Sequence, residues 1–227
     1  MSGADAQRRV LIGVVGCTPV LENYPLGPAL MAKLQAESWP DAAVTIENMS
    51  WGPVAIVQSM QASDARYDRA VLIGAVQRGR APGEVFAGRW QGGTLPPHLM
   101  QERMFEAVTG IVSLDNLLVI GEHFSVWPPE LVTVEVELPK TCFGDIVIAG
   151  LGTGAMDEDI EACIGFRPSA VIGALVALAR LAVVEGVAGG MMLEPRSATT
   201  LMPAEEFWKP RIACAGSLRA ASRRIIS

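Results

Sequence analysis

Hydrophobic and polar positions recur with two periods along this chain, and the switches between them mark out its elements. Val10 to Val15 is a short, β-branched, continuously apolar run closed by Gly16, the pattern of a central strand buried on both faces. After a loop, LGPALMAKLQAE predicts a helix from about Gly27 to Glu37 with Leu30, Leu34 and Met31 turned inward. AVTIENM predicts a second strand. GPVAIVQSMQA predicts a short helix with Pro53 in its first turn, where a missing N–H does no harm. RAVLIGAV predicts a third strand. Strands and helices alternating this quickly imply right-handed βαβ crossovers and a parallel sheet.

Further on, APGEVFAGRW predicts a turn and a short antiparallel edge strand. PHLMQERMFEAVTGIV has a helical pattern with Leu99, Met104, Phe105, Val108, Ile111 and Val112 as its apolar positions. LLVIGEHF fits a strand or a buried helix, since periodicity does not decide so short a run. ELVTVEVEL alternates, which predicts a strand whose wetter face carries Glu135 and Glu137 outward. DIVIAGLGTG predicts one more strand. The run from Ser169 to Gly190 predicts a buried helix, because Arg180 and Glu185 leave it short of the about 20 apolar residues that a membrane span needs. The expected architecture is a single α/β domain over residues 1–190, in three αβα layers. Its twisted sheet is mostly parallel with an antiparallel edge, and residues 191–227 form a C-terminal extension packed on the surface.

Composition narrows the function classes. A chain of 227 residues that is 50% hydrophobic has enough apolar mass for one substantial core. The net charge of −6, with basic residues scattered except for Arg219, Arg223 and Arg224, leaves no electrostatic footprint for nucleic acid. Cys17, Cys142, Cys163 and Cys214 stand far apart, which argues against a zinc site or a disulfide framework and points to the cytoplasm. The apolar run after Arg8 and Arg9 is too short for a signal peptide. GVVGCT and GLGTG lack the G-x-G-x-x-G fingerprint, and the acids following GLGTG would repel phosphate. His98 and His123 are the only histidines, and no Ser/His/Asp or Cys/His arrangement is legible around them.

Ligands of a parallel sheet bind beyond the carboxyl ends of its strands. Attention therefore falls on the loops at Gly16 to Leu26 and Gly74 to Gly83, and on the surroundings of Asp115 and of Glu122 with His123. The segments RVLIGVVG…LGPAL, VLIGAVQRGRAPGEVF, VSLDN and PPELVTVEVEL resemble, in order and spacing, the hydrogenase maturation proteases. The resemblance covers about residues 9 to 138, and its most specific part is the A-V-x-x-G-x-x-P-G block. It implies the phosphorylase/hydrolase-like scaffold of those endopeptidases, which trim the C-terminus of the [NiFe]-hydrogenase large subunit once nickel is installed.

The family's nickel-sensing groups are an acid in the first loop, an Asp ending the third strand and a His in an S-x-H segment. Here the first falls near Asn23 or Tyr24, with Glu22 the nearest carboxylate, and the second is Gly74. Asp68, six residues upstream of Gly74, lies about 20 Å away along a strand and does not substitute for that acid. The third group matches Asp115, or His98 or His123 if the alignment slides. The implied metal-holding residues are thus Glu22, Asp115 and His123. Asn23, Tyr24, Gly74 and His98 are the implied binding positions. The implied nickel is borne by the substrate, with none tightly bound by the chain. The implied partner is a metalloenzyme large subunit or its C-terminal peptide. With no ligand atom at Gly74, a catalytically inactive relative that serves as a binding or assembly module stands beside the peptidase. LIGAVQRG is also similar to a turn of lumazine synthases, but RAPGEVF follows where those enzymes have T-x-H-F.

Overall fold

The computed structural model describes residues 7–15, 26–93, 95–108, 113–138 and 168–184. Five strands form one sheet in the order β2-β1-β3-β5-β4. They are β1 (Arg8–Val15), β2 (Ala42–Asn48), β3 (Arg69–Val76), β4 (Val85–Arg89) and β5 (Glu130–Glu137). β1 pairs in parallel with β2 and β3, β3 pairs in parallel with β5, and β4 closes one edge antiparallel to β5. The mostly parallel sheet with an antiparallel edge is therefore present as the sequence predicts. β1 and β3 are apolar almost throughout and β5, though alternating in sequence, is buried along nearly its whole length, because each lies inside the sheet with helices over both faces. β2, at the far edge, shows the half-buried pattern of an edge strand.

Side-chain alternation along the strands divides the core in two. Val10, Ile12, Val14, Val71, Ile73, Val132, Val134 and Val136 face α1 (Leu26–Ala36) and a long helix, Pro168–Val184. Leu11, Val15, Ala70, Leu72, Val76 and Leu131 face α2 (Pro53–Ala62) and α4 (Leu114–His123). α3 (Pro97–Val108) lies outside these two, joined to them through Val57, Ala107 and Ile120. The helix Pro168–Val184 is numbered α5. Buried Arg69 at the start of β3 ties α5 down, donating through Nη1 to the carbonyls of Ala182 and Val183 and through Nη2 to Glu130 Oε2 at 2.7 Å. A cation at the carboxyl end of a helix is favoured by the helix dipole.

One open alternative is settled and two expectations change. LLVIGEHF is helical, the body of α4, which starts where the Ser113 side chain accepts the Asn116 backbone N–H at 3.1 Å. α3 does not bury the apolar face its pattern suggests: Phe105 is 65% and Val108 74% exposed. Its inner face is Met100, Arg103, Glu106 and Ala107. The polar pair is accepted inside because Glu106 Oε2 takes hydrogen bonds from Arg103 Nη1 at 2.9 Å and Asn116 Nδ2 at 3.0 Å. Third, Glu135 and Glu137 do not face water; they are 6% and 1% exposed. They lie on the α4 side of β5, and a pair of arginines arriving from a distant loop makes their burial tolerable.

Among the described residues no helix is long and apolar enough to cross a membrane. The strand expected at DIVIAGLGTG, the end of the last helix beyond Val184 and the extension over residues 191–227 lie outside the described residues.

Candidate functional site

The chain leaves β1 for α1 on one face, and after β3 it passes through β4 to α3 and α4 on the other. β1 and β3 are neighbours, so this reversal makes their carboxyl ends the switch point of the sheet, where crevices of α/β folds open. β3 ends at Val76, and the turn after it bends back over β5. Gly79 and Gly83 take positive φ values of 80° and 81°, which L side chains rarely adopt and glycine adopts freely. The turn thereby aims two consecutive backbone N–H groups at one carboxylate. Arg78 N and Gly79 N donate to Glu137 Oε1 at 2.6 and 2.7 Å.

The side chains of the same turn complete an ionic network. Arg80 reaches Glu137 Oε2 through Nε at 3.1 Å and Glu135 Oε2 through Nη2 at 2.6 Å, with its guanidinium over the Phe86 ring. Arg78 meets Asp115 in a two-pronged pair, Nη1 to Oδ2 at 2.9 Å and Nη2 to Oδ1 at 2.6 Å. Its Nη2 also donates to Glu135 Oε1 at 3.2 Å. Burial on its own would lower the Arg78 pKa, but Asp115 and Glu135 outweigh it and hold the guanidinium above the ordinary arginine value. Arg78 is charged at every accessible pH. The network holds one more carboxylate than guanidinium and joins β3, β5 and α4 at the sheet's carboxyl edge.

Gly74 faces the same side of the sheet, in register with Val15 on β1 and Glu135 on β5. A Cβ on it would stand 3.2 Å from Leu114 Cβ and 3.5 Å from both Leu114 Cδ2 and Val15 Cβ. Glycine at this position lets the first turn of α4 close onto β3. Asp115, one residue on, lies in that first turn. The structure thus brings Gly74 and Asp115 to one place. His123 is in the last turn of α4, exposed and edge-on to Phe124 with ring centroids 5.1 Å apart. Eight residues separate it from Asp115, about 12 Å along the helix axis, so the two do not converge on one ion. His98 is exposed in the first turn of α3, in the outer layer. Asp68 precedes β3 at the opposite edge, where its Oδ2 accepts the Arg9 backbone N–H at 2.8 Å. Glu22, Asn23 and Tyr24 lie outside the described residues.

Nickel(II) and similar ions need several imidazole, thiolate or carboxylate donors that converge. Among the described residues no group of three or more His, Cys, Asp and Glu side chains is placed to hold a metal ion. Asp115 is engaged on both oxygens by Arg78, and Gly74 offers no donor. With Arg78 in place, the described donor set does not fit nickel or a similar ion. What it forms is a preassembled charged lattice of Arg78, Arg80, Asp115, Glu135 and Glu137, four of which local sequence patterns did not single out. The signal that could have found them is the pair of arginines in QRGR just past a buried strand, together with two glutamates at i and i+2 near the end of another.

Fold and site together define an α/β protein with a charged carboxyl edge over β3 and β5, beside its switch point. No family model matches this sequence, and no curated protein does. Several solved structures are similar to it, three of them as follows. A hydrogenase 2 maturation peptidase from a Thaumarchaeota archaeon has 20% identity and a TM-score of 0.38, over 75% of this chain and 98% of the other. An endopeptidase from Escherichia coli has 18% identity and a TM-score of 0.44, over 78% and 93%. A [NiFe] hydrogenase maturation protease from Thermococcus kodakarensis has 14% identity and a TM-score of 0.38, over 80% and 95%. Likeness at these values does not carry an activity across, and the functional reading rests on the residues of this chain.

Proposed function

We propose that this chain is a maturation-protease-like protein that binds the C-terminal segment of a metalloenzyme large subunit and holds it without cutting it. Support for the class comes from the four sequence segments that resemble the maturation proteases. Their described parts fall on β1 and the start of α1, on β3 with its following turn and β4, on the start of α4 and on β5, and the turn after β3, Asp115 and the end of β5 meet at one edge. Support for binding over cleavage comes from a single observation. At the β3 position where the resemblance implies a carboxylate, Gly74 is packed under Leu114, and the neighbouring acids are already engaged in ion pairs with Arg78 and Arg80. The cytoplasm is the compartment this role implies.

Co-elution on a sizing column tests the reading. A large subunit that carries its C-terminal extension is expected to form a complex with the chain, and a large subunit lacking the extension is not. Equal retention of the two forms, or a shortened large subunit in the mass spectrum of the complex fraction, overturns it. If shortening occurs and Glu22→Ala abolishes it, the chain is an active endopeptidase whose essential carboxylate lies in the first loop.

A further inference from the structure

We propose that the Arg78 guanidinium is a built-in cation, filling with the chain's own side chain a two-carboxylate site formed by Asp115 and Glu135. The two acids come from different elements, the first turn of α4 and the end of β5, yet both lie within hydrogen-bonding distance of one nitrogen. Arg78 Nη2 is 2.6 Å from Asp115 Oδ1 and 3.2 Å from Glu135 Oε1. The Arg78 and Asp115 side chains are 25% and 30% exposed, against 14% for Arg80 and 1% for Glu137. The Arg78 end of the network is thus the part that a hydrated ion can reach.

Charge makes the guanidinium's role specific. Without Arg78, Asp115 would lose its guanidinium partner and Glu135 would keep only that of Arg80, which it shares with Glu137. A partly buried group of that kind recruits protons or a cation. Two carboxylates with water completing the shell are a sufficient protein donor set for a hard divalent ion. The inference rests on reading this edge as the counterpart of the maturation-protease site, and it adds a property to that reading. Among the described residues the edge supplies its own cations, so it assembles without a metal ion.

Mn(II) alone is the probe, because carboxylate and water donors suit it. Wild type, Arg78→Ala, Arg78→Gln and the double variant Arg78→Ala/Glu135→Gln are titrated with MnCl2. The free aqueous ion is read by electron paramagnetic resonance and the fold by circular dichroism. The expected result is negligible binding by wild type and one ion bound by each single variant at least about tenfold more tightly. The double variant is expected to lose this gain. A single variant that folds only when Mn(II) is present also supports the assignment. Folded single variants that bind no better than wild type overturn it, as do a gain that survives Glu135→Gln and single variants that stay unfolded with and without Mn(II). The chain is tested without any partner, so a failed complex with the large subunit and a failed ion titration are separate results.

Discussion

Gly74→Asp places a carboxylate where the resemblance implies one, and the structure sets what that costs. The new Cβ would be 3.2 Å from Leu114 Cβ, so α4 must give way by a few tenths of an ångström. Overpacking of this kind costs about 1–3 kcal/mol. The Asp side chain would stand beside its register neighbour Glu135 and on the same face of the sheet. Two unit charges about 5 Å apart repel by about 3 kcal/mol at an effective dielectric constant of about 20. Protonation of one acid caps the charge cost, and the variant is expected to lose about 3–5 kcal/mol in total. With a urea slope of about 2 kcal/mol per molar, the unfolding midpoint should fall by about 2 M. Gly74→Ala is the control. It carries only the contact, offset in part by the reduced entropy of its unfolded chain, and should lose about 0–2 kcal/mol. Urea titrations followed by circular dichroism measure all three proteins. A Gly74→Asp protein with the wild-type midpoint would show that the edge accommodates a carboxylate, and the reason for reading it as non-cleaving would be gone.

Other substitutions test other parts of the account. Glu137→Ala removes the acceptor shared by two backbone N–H groups and Arg80; it should cost about 3–5 kcal/mol in urea unfolding, and the Arg78 and Gly79 amides should lose hydrogen-exchange protection. Phe105→Ser on the exposed side of α3 should change stability by less than about 0.5 kcal/mol, whereas Glu106→Ala on its buried side should cost about 2–3 kcal/mol; the reverse order would mean the helix faces the other way. A side chain at Gly121 would run into the Trp127 indole, whose Nε1 donates to the Leu118 carbonyl at 3.0 Å; Gly121→Ala should therefore cost about 1–3 kcal/mol and shift the tryptophan emission.

The sheet was legible because the strands that build it carry their pattern locally. Val10 to Val15 and the run at RAVLIGAV are apolar without a break, which inside a chain of βαβ units has one reading. β4 was legible from the turn residues before it. β5 was found as a strand but its surroundings were misread, since alternation reports that one face differs from the other and not what covers it. Glu135 and Glu137 are buried because Arg78 and Arg80 fold over them from 55 to 59 residues earlier in the chain. No local window holds that pairing. α3 failed for a similar reason: the contacts that admit Arg103 and Glu106 to its inner face include Asn116 on another helix, while Phe105 and Val108 remain on the outside. α4 stayed open between strand and helix because LLVIGEHF is too short for periodicity to decide, and the Ser113 cap that begins the helix was not read. Of the candidate site, the turn after β3 and Asp115 were legible, and their union with β5 was not.

The central claim is that the chain holds the C-terminal segment of a large subunit and leaves it intact. Intact-mass spectrometry of a nickel-loaded large-subunit precursor, taken before and after incubation with an equimolar amount of this protein, tests it most directly. An unchanged precursor mass in a fraction that contains both proteins is the predicted result. A precursor shortened at its C-terminus contradicts it.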